Sequence, residues 1–347
     1  MKRTTKTIRR TLVLAAAAVA GTTILAACAG NGSDGSAAGG TDSYSVAVLL
    51  SSSQNGYNQA VAQGVENAIK ELDVNVTTSV LDGGFNSEMQ LSQLETAGSG
   101  TKYDGVIVVP NDGVSLAAAF PLASGIPVAT VLNPIGPDTS SMDPQVDGVV
   151  STVAVDPAAA AAKQAEDVVK YCESIDPCSV VLLVGNLSTT LDVTRQDAYK
   201  NVLEAHSNIE IVATAEGQYD PDASSQAIAN VLQAHPDLDV VLSNADQQTQ
   251  GAQIALEDAG IDPSTIYLTG GGGTTYAVQN VQKGIWKADY LNFPVSMGDA
   301  AMKQLYAHLT GGSAKSWVDA DTVADVEAYA TKETLARTPD FKGEWAG

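Results

Sequence analysis

The sequence predicts an α/β protein made of two doubly wound parallel-sheet domains with a cleft between them. Three observations carry this. From residue 44 onward, short apolar runs alternate with stretches of helical period. The alternation runs once to about residue 131 and starts afresh near 149. The chain is 347 residues long, too long for one ordinary domain and suited to two.

Residues 45–50 (SVAVLL) read as a buried strand, and Tyr57, Val61, Val65, Ala68, Ile69 and Leu72 then keep a helical period. Residues 74–80, rich in Val and Thr, read as a second strand, and 87–97 as a helix. Strands follow at 105–109 (GVIVV) and 127–131 (PVATV). This strand–helix alternation demands a parallel sheet with helices on both faces. The second round opens with a strand at 149–155, after which Asp156-Pro157 caps a helix with Pro at its first position. Strands at 180–184, 209–214, 240–243 and 266–269 complete it, with helices between them, as at 247–259. The segment YDGVIVVPND (103–112) echoes LDVVLSNAD (238–246), as two similar halves would. No Pro/Gly/Ser-rich linker divides the halves, so several chain crossings between them are expected. Two doubly wound sheets place their strand carboxyl ends, and with them any small-molecule site, at a shared cleft.

With 40 acidic against 18 basic residues, the formal charge of −22 excludes nucleic acid as a partner, because holding phosphates needs a basic face. Three His and three Cys leave little material for a multi-ligand metal site, and no metal or cofactor is expected. His206, His235 and His308 fall near helix ends and read as structural. Asp319, Asp321 and Asp325 lack the loop Gly and closing Glu of a calcium loop. No nucleophile elbow, P-loop or zinc-protease motif is present, so no enzyme activity is expected.

The first 27 residues stand apart. Lys2, Arg3, Lys6, Arg9 and Arg10 form a basic head, and 11–27 are apolar and Ala-rich but short for a membrane span. This reads as a secretory signal. Its end, Leu25-Ala26-Ala27-Cys28, resembles a bacterial lipobox, which implies cleavage before Cys28, a diacylglycerol on its sulfur, and attachment to the membrane through that lipid alone. Cleavage removes five basic and no acidic residues, taking the formal charge to −27. Residues 28–43 then read as the lipidated Cys and a flexible tether. Within it, Gly30 to Gly35 matches G-x-G-x-x-G by accident, without strand or helix around it. Cys172 and Cys178 are the remaining thiols. Outside the cytoplasm they are expected to be bridged rather than free, and closing so small a loop contributes about 2 kcal/mol.

Taken in order, DGVIVVPND, GIPVATV (125–131), R-x-D-A-Y (195–199), AHPDLDVVLSNADQQTQGA and the TGGGGT…KGIW…NFPVSMG run from 269 resemble the type I periplasmic solute-binding proteins, in their ribose-binding-like sugar branch. The resemblance covers about 44–335. It implies two α/β domains joined by three crossings, near 153–156, 292–294 and 323–327: domain one 44–153 plus 293–324, domain two 154–292 plus 325–347. It further implies a monomer that captures a small polar solute, a sugar or polyol, by domain closure and delivers it to the membrane permease of an ABC importer. The alternative is a sensor that presents a sugar or signal molecule to a membrane receptor.

Carried over by position, the resemblance implies ligand contact for Asn55 and Tyr57 in the first loop, Arg195 with Tyr199 in the aromatic place, Tyr219, and Asn292 at the second crossing. Phe85, Asn133, Asp246 and Gly272 are further candidates by their places after strands. The chain departs from the pattern at three points. Leu132-Asn133 stands where Asp-Arg is frequent, Gly270 to Gly273 replace a G-F-D-G run, and Ala245 precedes Asp246 in place of Asn.

Overall fold

The computed structural model describes residues 43–347. The expected signal segment, the lipidation site Cys28 and the tether up to residue 42 lie outside the described residues.

Twelve strands form two six-stranded sheets. The first contains β1 (Tyr44–Leu50), β2 (Val76–Asp82), β3 (Gly105–Val108), β4 (Val128–Val131), β5 (Val149–Ala154) and β11 (Trp317–Asp319), in the order β11-β5-β4-β3-β1-β2. The second contains β6 (Cys178–Val184), β7 (Ile209–Glu216), β8 (Val240–Ser243), β9 (Tyr267–Gly271), β10 (Ala288–Tyr290) and β12 (Tyr329–Thr331), in the order β12-β10-β9-β8-β6-β7. All pairings are parallel except β12 against β10, so the second sheet carries one antiparallel edge. The helices between strands are α1 (Gly56–Leu72), α2 (Ser87–Ser99), α3 (Gly113–Leu116), α4 (Phe120–Ala123), α5 (Pro157–Cys172), α6 (Thr190–Leu203), α7 (Pro221–Ala234), α8 (Asp246–Asp258), α9 (Thr275–Lys283), α10 (Pro294–Leu309) and α11 (Lys332–Leu335). The chain changes sheet after β5, after β10 and after β11. We call the two halves lobes.

The central strands of each sheet are buried on both faces, which is why they read as continuous apolar runs. Along β1, Val46, Val48 and Leu50 pack with α1 and α10, while the alternate Ala47 and Leu49 pack with α2, α3 and α4. Along β6, Val181 and Leu183 meet α7 and α8, and Val180 and Leu182 meet α5 and α6. Cys172 and Cys178 are bridged at the start of β6. Helix starts are set by Asn86, Asp156, Thr189, Asp220 and Thr274, each accepting a backbone N–H of the first turn.

The second strand starts two residues later than the apolar run suggests. Asp73 takes a left-handed C-cap conformation, and the Val74 N–H still bonds back to Ile69 O, so pairing with β1 begins only at Val76. The three-residue strands β10, β11 and β12 are too short to give a period and have no counterpart in the sequence reading.

Helix α10 is placed by two glycines. A Cβ on Gly64 of α1 would overlap Val295 O, and one on Gly298 of α10 would overlap Val61 O. The two helices therefore cross with backbone against backbone. Gly298→Ala is expected to destabilise the protein by about 1–3 kcal/mol, the usual cost of overpacking. Urea unfolding should show a lower midpoint at unchanged slope.

Candidate ligand-binding cleft

Between the lobes lies a cavity with about 860 Å³ of atom-free space including its mouth. Its wall is built almost wholly from residues that follow strand carboxyl ends. From the first lobe come Asn55, Tyr57 and Asn58 after β1, Phe85 after β2, Asn111 after β3, and Leu132 and Asn133 after β4. From the second come Asn186 and Arg195 after β6, Gln218 and Tyr219 after β7, Asn244 and Gln247 after β8, Gly271 at the end of β9, and Asn292 after β10.

The second-lobe wall is organised by Asp192, whose carboxylate is fully buried just behind the cavity. Its Oδ1 accepts the Tyr219 hydroxyl at 2.6 Å and the Asn244 amide at 3.0 Å, and its Oδ2 accepts Asn186 N–H at 2.6 Å. Arg195 lies one helical turn along, with Nη1 at 3.4 Å from Oδ1 and 3.3 Å from the Tyr219 hydroxyl. A buried charge is tolerated only when so paired. The result is a neutral unit that fixes three wall residues at once. Burial, reinforced by Asp192, pushes the Tyr219 phenol well up, and burial likewise raises Tyr57, so both act as neutral hydroxyls.

The wall keeps polar groups in reserve. Among the described residues, Arg195 Nε and Nη2, Asn55 Nδ2, Asn133 Oδ1 and the amides of Gln218, Gln247 and Asn292 have no hydrogen-bond partner within the protein. Seven asparagines and two glutamines line the cavity, and Arg195 is the one charged residue on the described wall. Backbone strain concentrates here as well. Phe85, Leu132, Gln218 and Tyr219 all have φ between 53° and 72°, the left-handed region that costs a non-glycine residue about 1–3 kcal/mol. All four line the cavity.

The lobes touch across the mouth. Asp112 caps α3 through Ser115 N–H (2.7 Å), while its other oxygen accepts Thr190 N–H (2.8 Å) and the Thr190 hydroxyl (2.7 Å) from the first turn of α6. Burial alone would raise this carboxyl, but these donors hold it below its ordinary value. Phe85 stacks on Tyr219 at 6.4 Å and 17°, and the Thr139 and Thr194 hydroxyls stand 3.2 Å apart. This is a closed cleft.

Of the candidates from the sequence, Asn55, Tyr57, Phe85, Asn133, Arg195, Tyr219 and Asn292 are brought together on this wall. Asp246 and Gly272 are not on it. Asp246 accepts Thr274 N–H at 2.7 Å, and Asp289 on β10 accepts Gly273 N–H at 3.1 Å. The remaining oxygens of these two carboxyls both approach Gly270, where a Cβ would stand 2.6 Å from one and 3.3 Å from the other. The glycine run thus makes room for a buried carboxyl pair as well as for the ligand side. Tyr199 is fully buried and donates to Gln164 at 2.7 Å, so it serves the core rather than the cavity. The sequence reading missed Asp192, whose i,i+3 spacing from Arg195 looks like an ordinary helix pair. It also missed Asn244, within the quoted motif, and Trp345, which no strand precedes.

Fold and cleft together define a two-lobed α/β solute-binding protein. The family profile described as "Periplasmic binding protein domain" matches residues 46–313, and the chain belongs to that family, one of binding proteins rather than enzymes. No curated protein matches in sequence. Among solved structures, an ABC transporter periplasmic solute-binding protein from Actinobacillus succinogenes with bound D-allose is 20% identical, with a TM-score of 0.72 over 85% of this chain and 99% of its own. An ABC transporter solute-binding protein from Agrobacterium vitis with bound D-fucose is 18% identical, with a TM-score of 0.74 over 86% and 99%. One from Bacillus halodurans with bound myo-inositol is 19% identical, with a TM-score of 0.72 over 87% and 99%. At this identity the likenesses show a shared fold, the one implied by the strand motifs. The family is extracytoplasmic, and no helix among the described residues is long and apolar enough to cross a membrane.

The buried pair has a measurable signature. Burial, and then the neighbouring Asp246, push Asp289 well above the usual carboxylate range, and burial raises Asp246 too, so one proton shared by the pair is the expected state. A raised folded-state value contributes stability that is complete below the unfolded value, about 3.9, and is lost as pH climbs through the raised one. Asp321, also raised by burial, acts with the same sign, whereas the lowered Asp82, Asp112, Asp138 and Asp262 act the opposite way, toward low pH. In Asp289→Asn an amide donates to Asp246 at every pH. The Tm difference, variant minus wild type, should therefore grow as pH rises from about 5 to 9. A constant difference would mean that no proton is shared.

Proposed function

We propose that this chain is the extracytoplasmic, lipid-anchored solute-binding protein of an ABC importer, and that its solute is a neutral sugar or polyol. The observation that carries the ligand class is the wall itself. Arg195 is already balanced by Asp192, no carboxylate lines the described cavity, and the open groups are amides able both to donate and to accept. Hydroxyls demand that mixture, since each one buried without a partner costs about 1–3 kcal/mol. An anion finds no uncompensated cation here, and a cation finds no open carboxylate. Tyr57, Phe85 and Tyr219 supply the apolar surface that a sugar ring's C–H face needs. The bound D-allose, D-fucose and myo-inositol of the structural neighbours are of this neutral class.

On this reading the two sheets are the two domains, 44–153 plus 293–324 and 154–292 plus 325–347. They close on the solute by bending at the chain crossings, and the closed form docks on the permease. Cys28, at the end of the apolar leader, carries the lipid, and the segment to residue 43 gives the binding lobes their reach.

The test is thermal unfolding of residues 29–347 with D-allose, D-fucose, D-arabinose, D-tagatose and myo-inositol, against gluconate, glucosamine and glucose 6-phosphate. A neutral compound with a micromolar Kd, present at ~1 mM, should add about 4 kcal/mol of stability. A shift produced only by charged compounds would overturn the neutral assignment, and a flat panel would overturn the sugar class. Arg195→Ala is expected to weaken binding of the responding sugar by about tenfold or more, the cost of a hydrogen bond from a charged donor. The fold should persist at reduced stability, because Asp192 loses its counter-ion but retains the donors of Tyr219, Asn244 and Asn186. Unchanged affinity in calorimetry would remove Arg195 from the site.

A further inference from the structure

Trp345 lies outside the family match, which ends at residue 313, yet its side chain lines the cavity and is only 7% exposed. It arrives on the C-terminal segment rather than on a strand end. That segment is fastened to both lobes. On the second, Trp345 Nε1–H donates to Gly272 O at 2.7 Å, and Trp345 O accepts Thr275 N–H at 2.8 Å and the Thr275 hydroxyl at 3.1 Å. On the first, the Glu344 carboxylate accepts Ser296 N–H at 3.0 Å and the Ser296 hydroxyl, at the start of α10.

The indole is wedged between two glycines from opposite lobes. A Cβ on Gly56, where α1 begins, would stand 3.3 Å from the ring, and one on Gly272 would stand 3.1 Å from it. The Tyr57 ring meets it edge-on at 5.7 Å and 87°. Its only polar atom is spent on Gly272 O, so the surface it offers the cavity is apolar carbon. A rigid aromatic with its polar atom satisfied contributes contact area at little entropic cost.

We propose that Trp345 is a specificity-determining residue of the solute site: the C-terminal segment sets its ring as a fixed wall against the C–H face of the bound sugar or polyol, and so limits the size and shape of ring admitted. This rests on the solute-binding reading above.

The test uses Trp345→Phe and Trp345→Ala in residues 29–347, titrated calorimetrically with D-allose, D-fucose and myo-inositol. The expected result is a loss of about tenfold or more for Trp345→Ala, a smaller loss for Trp345→Phe, and a changed ratio of affinities among the three compounds, which a merely structural role would not produce. Tryptophan emission gives a second readout. Trp286 is fully buried in the second lobe and Trp317 is 43% exposed on β11. The ligand-induced emission change should therefore vanish in Trp345→Phe while calorimetry still registers binding. If Trp345→Ala fails to fold, Trp345→Phe alone decides through the affinity ratio and the emission. Affinities within twofold of wild type in unchanged ratio would overturn the assignment of Trp345 while leaving the solute-binding reading intact. No heat with any of the three compounds, in wild type and variants alike, would overturn the solute class and the assignment together.

Discussion

Parallel pairing leaves a strand no tight turn to its neighbour; the chain must cross back before it pairs again, through a helix after most strands and through the helix-free stretch 132–148 after β4, and the carboxyl ends of the parallel strands then open on the same side of the sheet. That constraint determines the rest of this molecule. Two such sheets face their carboxyl ends toward one space, so the loops after β1, β2, β3 and β4 oppose those after β6, β7, β8 and β10. The cavity residues lie within a few positions of most of these strand ends, so their side chains are aimed by the backbone rather than by loop length. The left-handed conformations of Phe85, Leu132, Gln218 and Tyr219 do this aiming, and their cost of about 1–3 kcal/mol each is carried by the doubly covered sheets beneath.

Charge is distributed to the same end. A chain of formal charge −22 repels anions at long range, yet the described cavity wall bears one charged residue, and that one is balanced. Asp192 explains how an arginine is kept in a nearly closed site without turning it into an anion trap. The carboxylate takes up the charge, and five donors take up the carboxylate. Arg195 is left with directional N–H groups and little net field. For the proposed neutral sugar, selectivity at such a site rests on hydrogen-bond geometry and ring shape, the properties in which neutral sugars differ from one another.

Much of this was legible in the sequence because the fold writes itself at strand ends. Where a buried run such as SVAVLL or GVIVV stops, the next polar or aromatic residue has few places to go but the cleft, and Asn55, Tyr57, Phe85, Asn133, Tyr219 and Asn292 follow that rule. The rule failed where polar residues serve the loops themselves. Asp246 follows β8 as a ligand residue would, but it is turned inward to accept Thr274 N–H beside Asp289, which sits inside β10 and carries no sign of its partner in the local sequence. Asp192 was illegible because a buried carboxylate and a surface helix pair share one spacing. Trp345 was illegible because its contacts with Gly272 and Thr275 are about seventy residues away along the chain.

If the lobes open and close as proposed, the contacts across the mouth are of the strength a reversible device requires. Across the mouth there are one carboxylate serving two donors of Thr190, one pair of threonine hydroxyls, and a ring stack whose Phe85 is 43% exposed. Each is worth about 0.5–3 kcal/mol before the entropy of ordering both lobes is counted. A ligand can shift the balance between open and closed only by its differential affinity for the two, and the shift from a hundredth to ninety-nine hundredths needs about 5.5 kcal/mol. Mouth contacts much stronger than these would close the empty protein and leave the solute nothing to decide. The strong interactions lie behind the wall instead, around Asp192 and in the Asp246–Asp289 pair, where they join residues of one lobe and shape the site without determining whether it is shut.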